Sequence, residues 1–426
     1  MSAGAAAAVP AASAFPAAAL RGQFPALQRA GDFIFFDNAA GAQVPQVVLD
    51  AVNRHLIEHN VQRGGRYPQS LAVDASIARS RVQVGALLNA RRPEEVAFGM
   101  NATSFIRLVS LAIGQALGAR NEFILTDLDH EANVATWLVL ERMGAKFLWW
   151  KMRDDGCLHT EDLEPLLSAR TRLVACALAS NSLGSIVDVR TAADMAHAVG
   201  AEIFLDSVHF SPHGPIDVQA LGCDYLVCSG YKVFSPHMGF MWGRYELLEQ
   251  LPTFREDFIP DAPPGKIEAG TFIYENVAGM AAAVDYLAQL GRLLAGRGAA
   301  PDPRTVREDV RTAMIAIQAY EQTLSLALLR VLRAGGATIY GIGSEARLSE
   351  RVPTVCFNVP GVAPAEVTEA AARARIGIRD GHMYSPRLMR RLGLSIDSGA
   401  VRVSLVHYNT LAEIERFGEV LARLRR

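Results

Sequence analysis

Short apolar runs alternate with helical patterns along most of this chain, and that alternation limits the fold more than any other feature. "EEVAFG" (Glu94 to Gly99), "EFILT" (Glu122 to Thr126), "RLVACALA" (Arg172 to Ala179), "EIFLD" (Glu202 to Asp206) and "DYLVCS" (Asp224 to Ser229) each read as a strand. Their apolar residues run together instead of alternating with polar ones. Strands of that kind are covered on both faces, which implies an α/β protein with a mostly parallel sheet sandwiched by helices. "PQVVLDAVNRHLIEHN" (Pro45 to Asn60) opens with proline and has helical apolar spacing. "DASIARSRVQVGALLN" (Asp74 to Asn89) is expected to start at a capping Asp74.

A long helical stretch near residues 276–296 precedes "GRGAAPDPRT" (Gly296 to Thr305), whose Gly, Pro and charge mark a boundary. Beyond it, "VPTVCFNV" and "AVRVSLV" indicate a smaller C-terminal α/β domain. The division expected is a disordered Ala/Pro-rich leader over residues 1–20, a large domain over 21–295 and a small domain over 306–426. The N-terminal segment of the large domain is expected to pack on the small one.

The formal net charge of −2 gives no electrostatic footprint for nucleic acid or an anionic membrane. No apolar run reaches the roughly 18 residues of a transmembrane helix. The first twenty residues carry no charged side chain and no compact Leu-rich stretch, unlike a secretory signal. Five scattered cysteines without a CxxC pair point to a reducing cytoplasm and away from a Cys-based metal site.

Ligands of open α/β sheets bind beyond the carboxyl ends of the strands. Asp206 ends "EIFLD", Lys232 follows "DYLVCS", Asn181 follows "VACALAS" and His130 follows "EFILTDLD". "NATS" (Asn101 to Ser104) lies between a strand and a helix, where free backbone N–H groups suit a phosphate. Singly, each has an ordinary reading: a snorkelling lysine, a capping aspartate, a core histidine, a turn asparagine. Together they fit pyridoxal 5′-phosphate (PLP), which needs a Schiff-base lysine, an acid at its pyridine nitrogen and a phosphate cup. Burial lowers a lysine's pKa and frees the amine to react with an aldehyde.

In this order the motifs resemble the cysteine desulfurase and selenocysteine lyase branch of the class V aminotransferase-like enzymes. The likeness runs from "FPALQ" at Phe24 to "VSLVHYNT" at Thr410 and is nearest to "cysteine desulfurase-like" proteins lacking the persulfide cysteine. It implies PLP fold type I, with a sheet of the seven-stranded type and a smaller C-terminal domain. It implies that Lys232 forms the Schiff base, that Asp206 meets the pyridine nitrogen and that His130 stacks on the ring. Asn181 and His209 then lie near the ring hydroxyl. Ala102, Thr103, Ser229 and Tyr231 surround the phosphate. "EAGT" (Glu268 to Thr271) resembles the segment by which one subunit reaches its neighbour's phosphate, which implies a homodimer and a role for Thr271. "VRVSLVHYNT" puts Arg402 at the substrate α-carboxylate, a task suited to a planar guanidinium. "FDNAAGAQVP" places Asn38 near substrate, and "GRYPQS" (Gly65 to Ser70) offers Arg66 and Tyr67 as further contacts or as an ordinary surface turn.

The departures bear on the reaction. "RDGHMYS" aligns with the family's Arg-x-Gly-His-His-Cys pattern and puts Tyr384 where the desulfurases carry the cysteine that accepts sulfur. A phenol does not accept sulfur as a thiolate does. His209 replaces a more usual glutamine, and Tyr231 a more usual histidine. The expected reaction is C–S β-elimination from cysteine or a cysteine S-conjugate, with Tyr384 or His382 protonating the leaving sulfur or simply closing over the substrate. Epimerisation, transamination and decarboxylation coupled to oxidation stay open on the same scaffold. An inert scaffold protein is the alternative from another class, and the intact set of Lys232 and Asp206 weighs against it.

Overall fold

The computed structural model describes residues 15–268, 270–298 and 302–424. Seven strands form the larger sheet, in the order Val96–Gly99, Gly239–Gly243, Tyr225–Ser229, Glu202–Asp206, Thr171–Ala177, Glu122–Thr126, Lys146–Trp150. Six run parallel, and Gly239–Gly243 runs antiparallel to both its neighbours. The five strands expected from apolar runs are all present, within two residues of their expected ends. Two more complete the sheet. "KFLWW" is a partly exposed edge, so its pattern is mixed, and "GFMWG" is short and bounded by glycines.

Central strands such as Tyr225–Ser229 are buried along their whole length, as continuous apolar runs require. Helices cover both faces, and two apolar layers lie on either side of the sheet. A separate four-stranded antiparallel sheet has the order Arg379–Gly381, Ala400–Ser404, Thr354–Asn358, Thr338–Tyr340. It has its own core, in which Leu324, Leu328 and Phe417 from two helices meet Phe357 and Val403. Ile34–Phe35 pairs in parallel with Ile376–Gly377, which ties the N-terminal segment to this smaller unit.

Two expectations change. The second helix begins at Pro68, not at Asp74. Proline suits the first helical position because its missing N–H would have no partner there. Asp74 lies inside the helix and accepts from Gly64 N at 3.1 Å, folding the preceding loop back. The leader expected over residues 1–20 is helical in part of its described residues. Residues 1–14 lie outside the described residues, but Ala17–Leu20 is helical, with Ala17 and Leu20 buried. Phe15 stacks on Tyr320 at 4.7 Å. Among the described residues no helix is long and apolar enough to cross a membrane.

Candidate active site

A cavity, partly open to solvent, lies beyond the carboxyl ends of the parallel strands. Its lining includes Ala102, Thr103, His130, Asn181, Asp206, His209, Ser229, Tyr231 and Lys232. Nine of the residues singled out in the sequence thus meet at one place, brought there by five strands. The sequence reading passed over Ala132, Ala177, Ala179 and Val208, which also line it. Small apolar side chains carry no chemical signal, but here they make the room.

The first turn of helix Ala102–Gln115 forms one end. Asn101 caps it, accepting from Ser104 N at 2.9 Å, and Ser104 completes a capping box. Ala102 N donates to Ser229 Oγ at 3.0 Å, which joins the helix to strand Tyr225–Ser229. The close approach depends on Gly239, where a Cβ would stand 2.6 Å from Asn101 Cα. Thr103 and Ser229 therefore face the cavity at a helix N-terminus, a favourable place for a phosphate.

Lys232 follows the short turn Gly230–Lys232 and is 5 % exposed. Burial, reinforced by Arg402, lowers its pKa to about 8, while Asp206 acts in the opposite direction. Asp206 ends the neighbouring strand and accepts from Val208 N at 2.9 Å. Burial pushes its carboxyl up, and Lys232 opposes that shift. His130 accepts from Ala132 N through Nδ1 at 3.0 Å, so in the neutral ring the proton sits on Nε2. Burial and then Lys232 lower its pKa to about 4, which keeps it neutral near pH 7. His209 bonds Thr354 Oγ1 through Nε2 at 3.0 Å, while its buried Nδ1 has no partner. A buried amine, an adjacent carboxylate, an unpartnered imidazole nitrogen and a helix N-terminus fit PLP.

The segment Arg379 to Ser385 crosses the mouth. Met383 and Tyr384 both have left-handed backbones, with φ of 51° and 59°. Non-glycine residues adopt that conformation at a cost, so neighbours must hold it. Asn181 Nδ2 donates to Met383 O at 2.8 Å, and Ser385 Oγ donates to Asn181 Oδ1 at 3.1 Å. Glu131 N donates to Tyr384 O at 2.8 Å. Tyr384 is half exposed, its ring 5.7 Å from that of His130. His382 accepts from Tyr384 N at 3.0 Å through Nδ1 and does not line the cavity.

The remaining sequence candidates lie elsewhere. Arg402 sits behind Asn181, with Nη1 donating to Asn181 O at 3.0 Å and Nη2 to Asp37 Oδ1 at 3.0 Å. Asn38 is buried and its side chain is fully engaged: Nδ2 bonds Phe35 O, Ser404 O and Asn409 Oδ1, and Oδ1 accepts from Tyr408. Arg66 and Tyr67 are exposed just before helix Pro68–Leu88 and do not line the cavity of this chain. Thr271 accepts from Gln62 Nε2 at 2.5 Å, also outside the cavity.

Comparison with known proteins agrees with this geometry. Residues 34–295 and 310–417 match the family described as aminotransferase class-V. An aminotransferase-like protein of Gibberella zeae, FGM3, is 36 % identical over 416 residues, covering 95 % of this chain and 97 % of that protein. A probable cysteine desulfurase of Synechocystis is 32 % identical over 422 residues, covering 94 % of each. Among solved structures, the apo cysteine desulfurase of Thermococcus onnurineus superposes with a TM-score of 0.84 at 25 % identity, over 97 % of this chain and 99 % of that one. The chain belongs to the class V aminotransferase family and is a PLP-dependent enzyme.

Proposed function

We propose that the enzyme is a C–S β-lyase, acting on cysteine or a cysteine S-conjugate without an enzyme persulfide. The observation that carries this reading is Tyr384. It stands at the cavity mouth on the segment where the resemblance expects a sulfur-accepting cysteine. All five cysteines are buried, and none lines the cavity.

When bound, PLP supplies an electron sink for the pair left when a substrate Cα bond breaks. Lys232 would carry its aldehyde, and Asp206, His209, Thr103 and Ser229 would hold its ring and phosphate. Lys232, once free of the aldehyde, takes the Cα proton. Arg402 orients the substrate by its carboxylate. Tyr384 or His382 delivers a proton to the departing sulfur. One water then enters, so substrate plus water yields a thiol, pyruvate and ammonium. The likeness of "EAGT" to a subunit-spanning segment supports a homodimer in which Thr271 serves the neighbouring site.

A second reading rests on Arg402, whose Nη groups already bond Asp37 and Asn181. A substrate carboxylate gripped less rigidly can turn perpendicular to the cofactor ring, as decarboxylation coupled to oxidation by dioxygen requires. The two readings separate in one assay. The PLP-loaded enzyme is incubated with L-cysteine and several S-conjugates, and pyruvate, thiol and carbon dioxide are followed together. Equal pyruvate and thiol is the expected result. Absence of thiol overturns the lyase, and carbon dioxide with an aldehyde selects the second reading.

A further inference from the structure

Arg379 and Arg402 stand directly opposite each other on adjacent antiparallel strands of the smaller sheet. Like charges so placed repel. Arg402 is 2 % exposed, so water does little to relieve that repulsion. One carboxylate meets both. Asp37 Oδ1 accepts from Arg402 Nη2 at 3.0 Å, and Asp37 Oδ2 accepts from Arg379 Nε at 2.9 Å and lies 2.8 Å from its Nη2.

The backbone fixes Asp37 in this position. Asp37 and Ser404 form a bridge, Ser404 N donates to Phe36 O at 2.7 Å, and Ala39 N donates to Ser404 Oγ at 2.8 Å. Asp37 therefore arrives from the N-terminal segment already registered against the strand that carries Arg402. Arg402 Nε is buried and has no hydrogen-bond partner. The local charge is simple to sum. The triad of two guanidinium groups and one carboxylate carries a single positive charge behind the cavity wall formed by Asn181, and Asp380 adds a further carboxylate acting on Arg379.

We propose that Asp37 sets the charge selectivity of the substrate site: by neutralising Arg379 it leaves Arg402 able to take one carboxylate, so the enzyme selects amino acids without a second anionic group. Asp37 is a positioning and selectivity residue, not one that touches reacting atoms. The inference rests on Arg402 as the holder of the substrate carboxylate. Without Asp37, the paired arginines would form a site for two negative charges. Without Arg379, Asp37 would bond Arg402 alone and compete with the substrate.

The test uses L-asparagine and L-aspartate, which share a shape and differ by one charge. Their Kd values for the PLP-loaded enzyme are measured by the change in cofactor absorbance and by calorimetry. The parent enzyme should prefer asparagine at least tenfold. Asp37→Asn should shift the ratio toward aspartate by tenfold or more. Arg379→Gln should weaken both ligands at least tenfold, and Asp37→Asn combined with Arg379→Gln should restore asparagine binding to within threefold of the parent. The double variant carries no opposed charges, so it stays informative if Asp37→Asn alone does not fold. An unchanged ratio in Asp37→Asn, or no restoration in the double variant, overturns the proposal. Arg402→Gln is the separate control. If it leaves asparagine binding unchanged, the carboxylate reading of Arg402 itself falls; if it abolishes binding while Asp37→Asn leaves the ratio unchanged, only the role of Asp37 falls.

Discussion

The Tyr384 ring stands 5.7 Å from the ring of His130, centroid to centroid, with the two planes 35° apart. One lies on the wall of the cavity and the other at its mouth, so a substrate passing inward meets both. Tyr384→Phe keeps the ring and removes the hydroxyl. If that hydroxyl protonates the leaving sulfur, kcat should fall about 100-fold with little change in KM. Steady-state kinetics with an S-conjugate check this, and an unchanged kcat would leave Tyr384 as a wall only.

The buried Lys232 amine destabilises the cofactor-free protein where it is charged. Its folded pKa is about 8, against an ordinary value of 10.5. Between those values the unfolded chain holds a proton that the folded chain has released, so this contribution to stability rises with pH. Below about pH 8 both states are protonated and the whole penalty remains. Lys232→Met should therefore stabilise the cofactor-free protein by about 3 kcal/mol at pH 7, with a gain that shrinks toward pH 10. Urea unfolding of both proteins at pH 7, 8.5 and 10 isolates the effect. The same variant should show no lysine-linked cofactor band and lose activity.

Asn181 holds the mouth segment at two points, Met383 O and Ser385 Oγ. Asn181→Ala removes both bonds and leaves the left-handed pair at Met383 and Tyr384 poorly supported. Hydrogen exchange should quicken at the Glu131 amide, which bonds Tyr384 O, and across residues 379–386. Unaltered exchange there would show that buried Met383 and the Glu131 bond to Tyr384 O hold the segment without Asn181.

Glu268 is a buried carboxylate joined to Phe98 N at 2.9 Å and to Arg81 at 2.7 Å. Removing it leaves a guanidinium that is only slightly exposed and without its main partner. Glu268→Ala should cost about 3–5 kcal/mol, read as a lower urea midpoint. A change under 1 kcal/mol would mean that solvent and Val96 O, which already accepts from Arg81 Nη1 at 2.6 Å, suffice for the guanidinium.

The strands and the cavity were legible in the sequence for one reason: both depend on local pattern. A buried parallel strand is a run of apolar residues, and the polar residue just beyond it faces the ligand side. Lys232, Asp206, His130 and Asn181 could be found that way. Asp37 and Arg379 could not, because their meaning lies in a contact between positions 342 residues apart. Asn38, next to Asp37, was the more conspicuous choice and turns out to tie the N-terminal segment to Ser404 and Asn409. The start of helix Pro68–Leu88 is not legible in the sequence because Asp74 resembles a cap, whereas its partner is a loop amide four residues before the helix starts.

The interior position of every cysteine has a practical side. Burial pushes the Cys157 thiol up to about 11, and those of Cys228 and Cys356 to about 12. Few thiolates exist near neutral pH, so alkylating reagents should pass the native fold by. A cysteine introduced at the mouth would then be the one reactive handle on the molecule, open to a fluorophore, a cross-linker or a transferred sulfur atom.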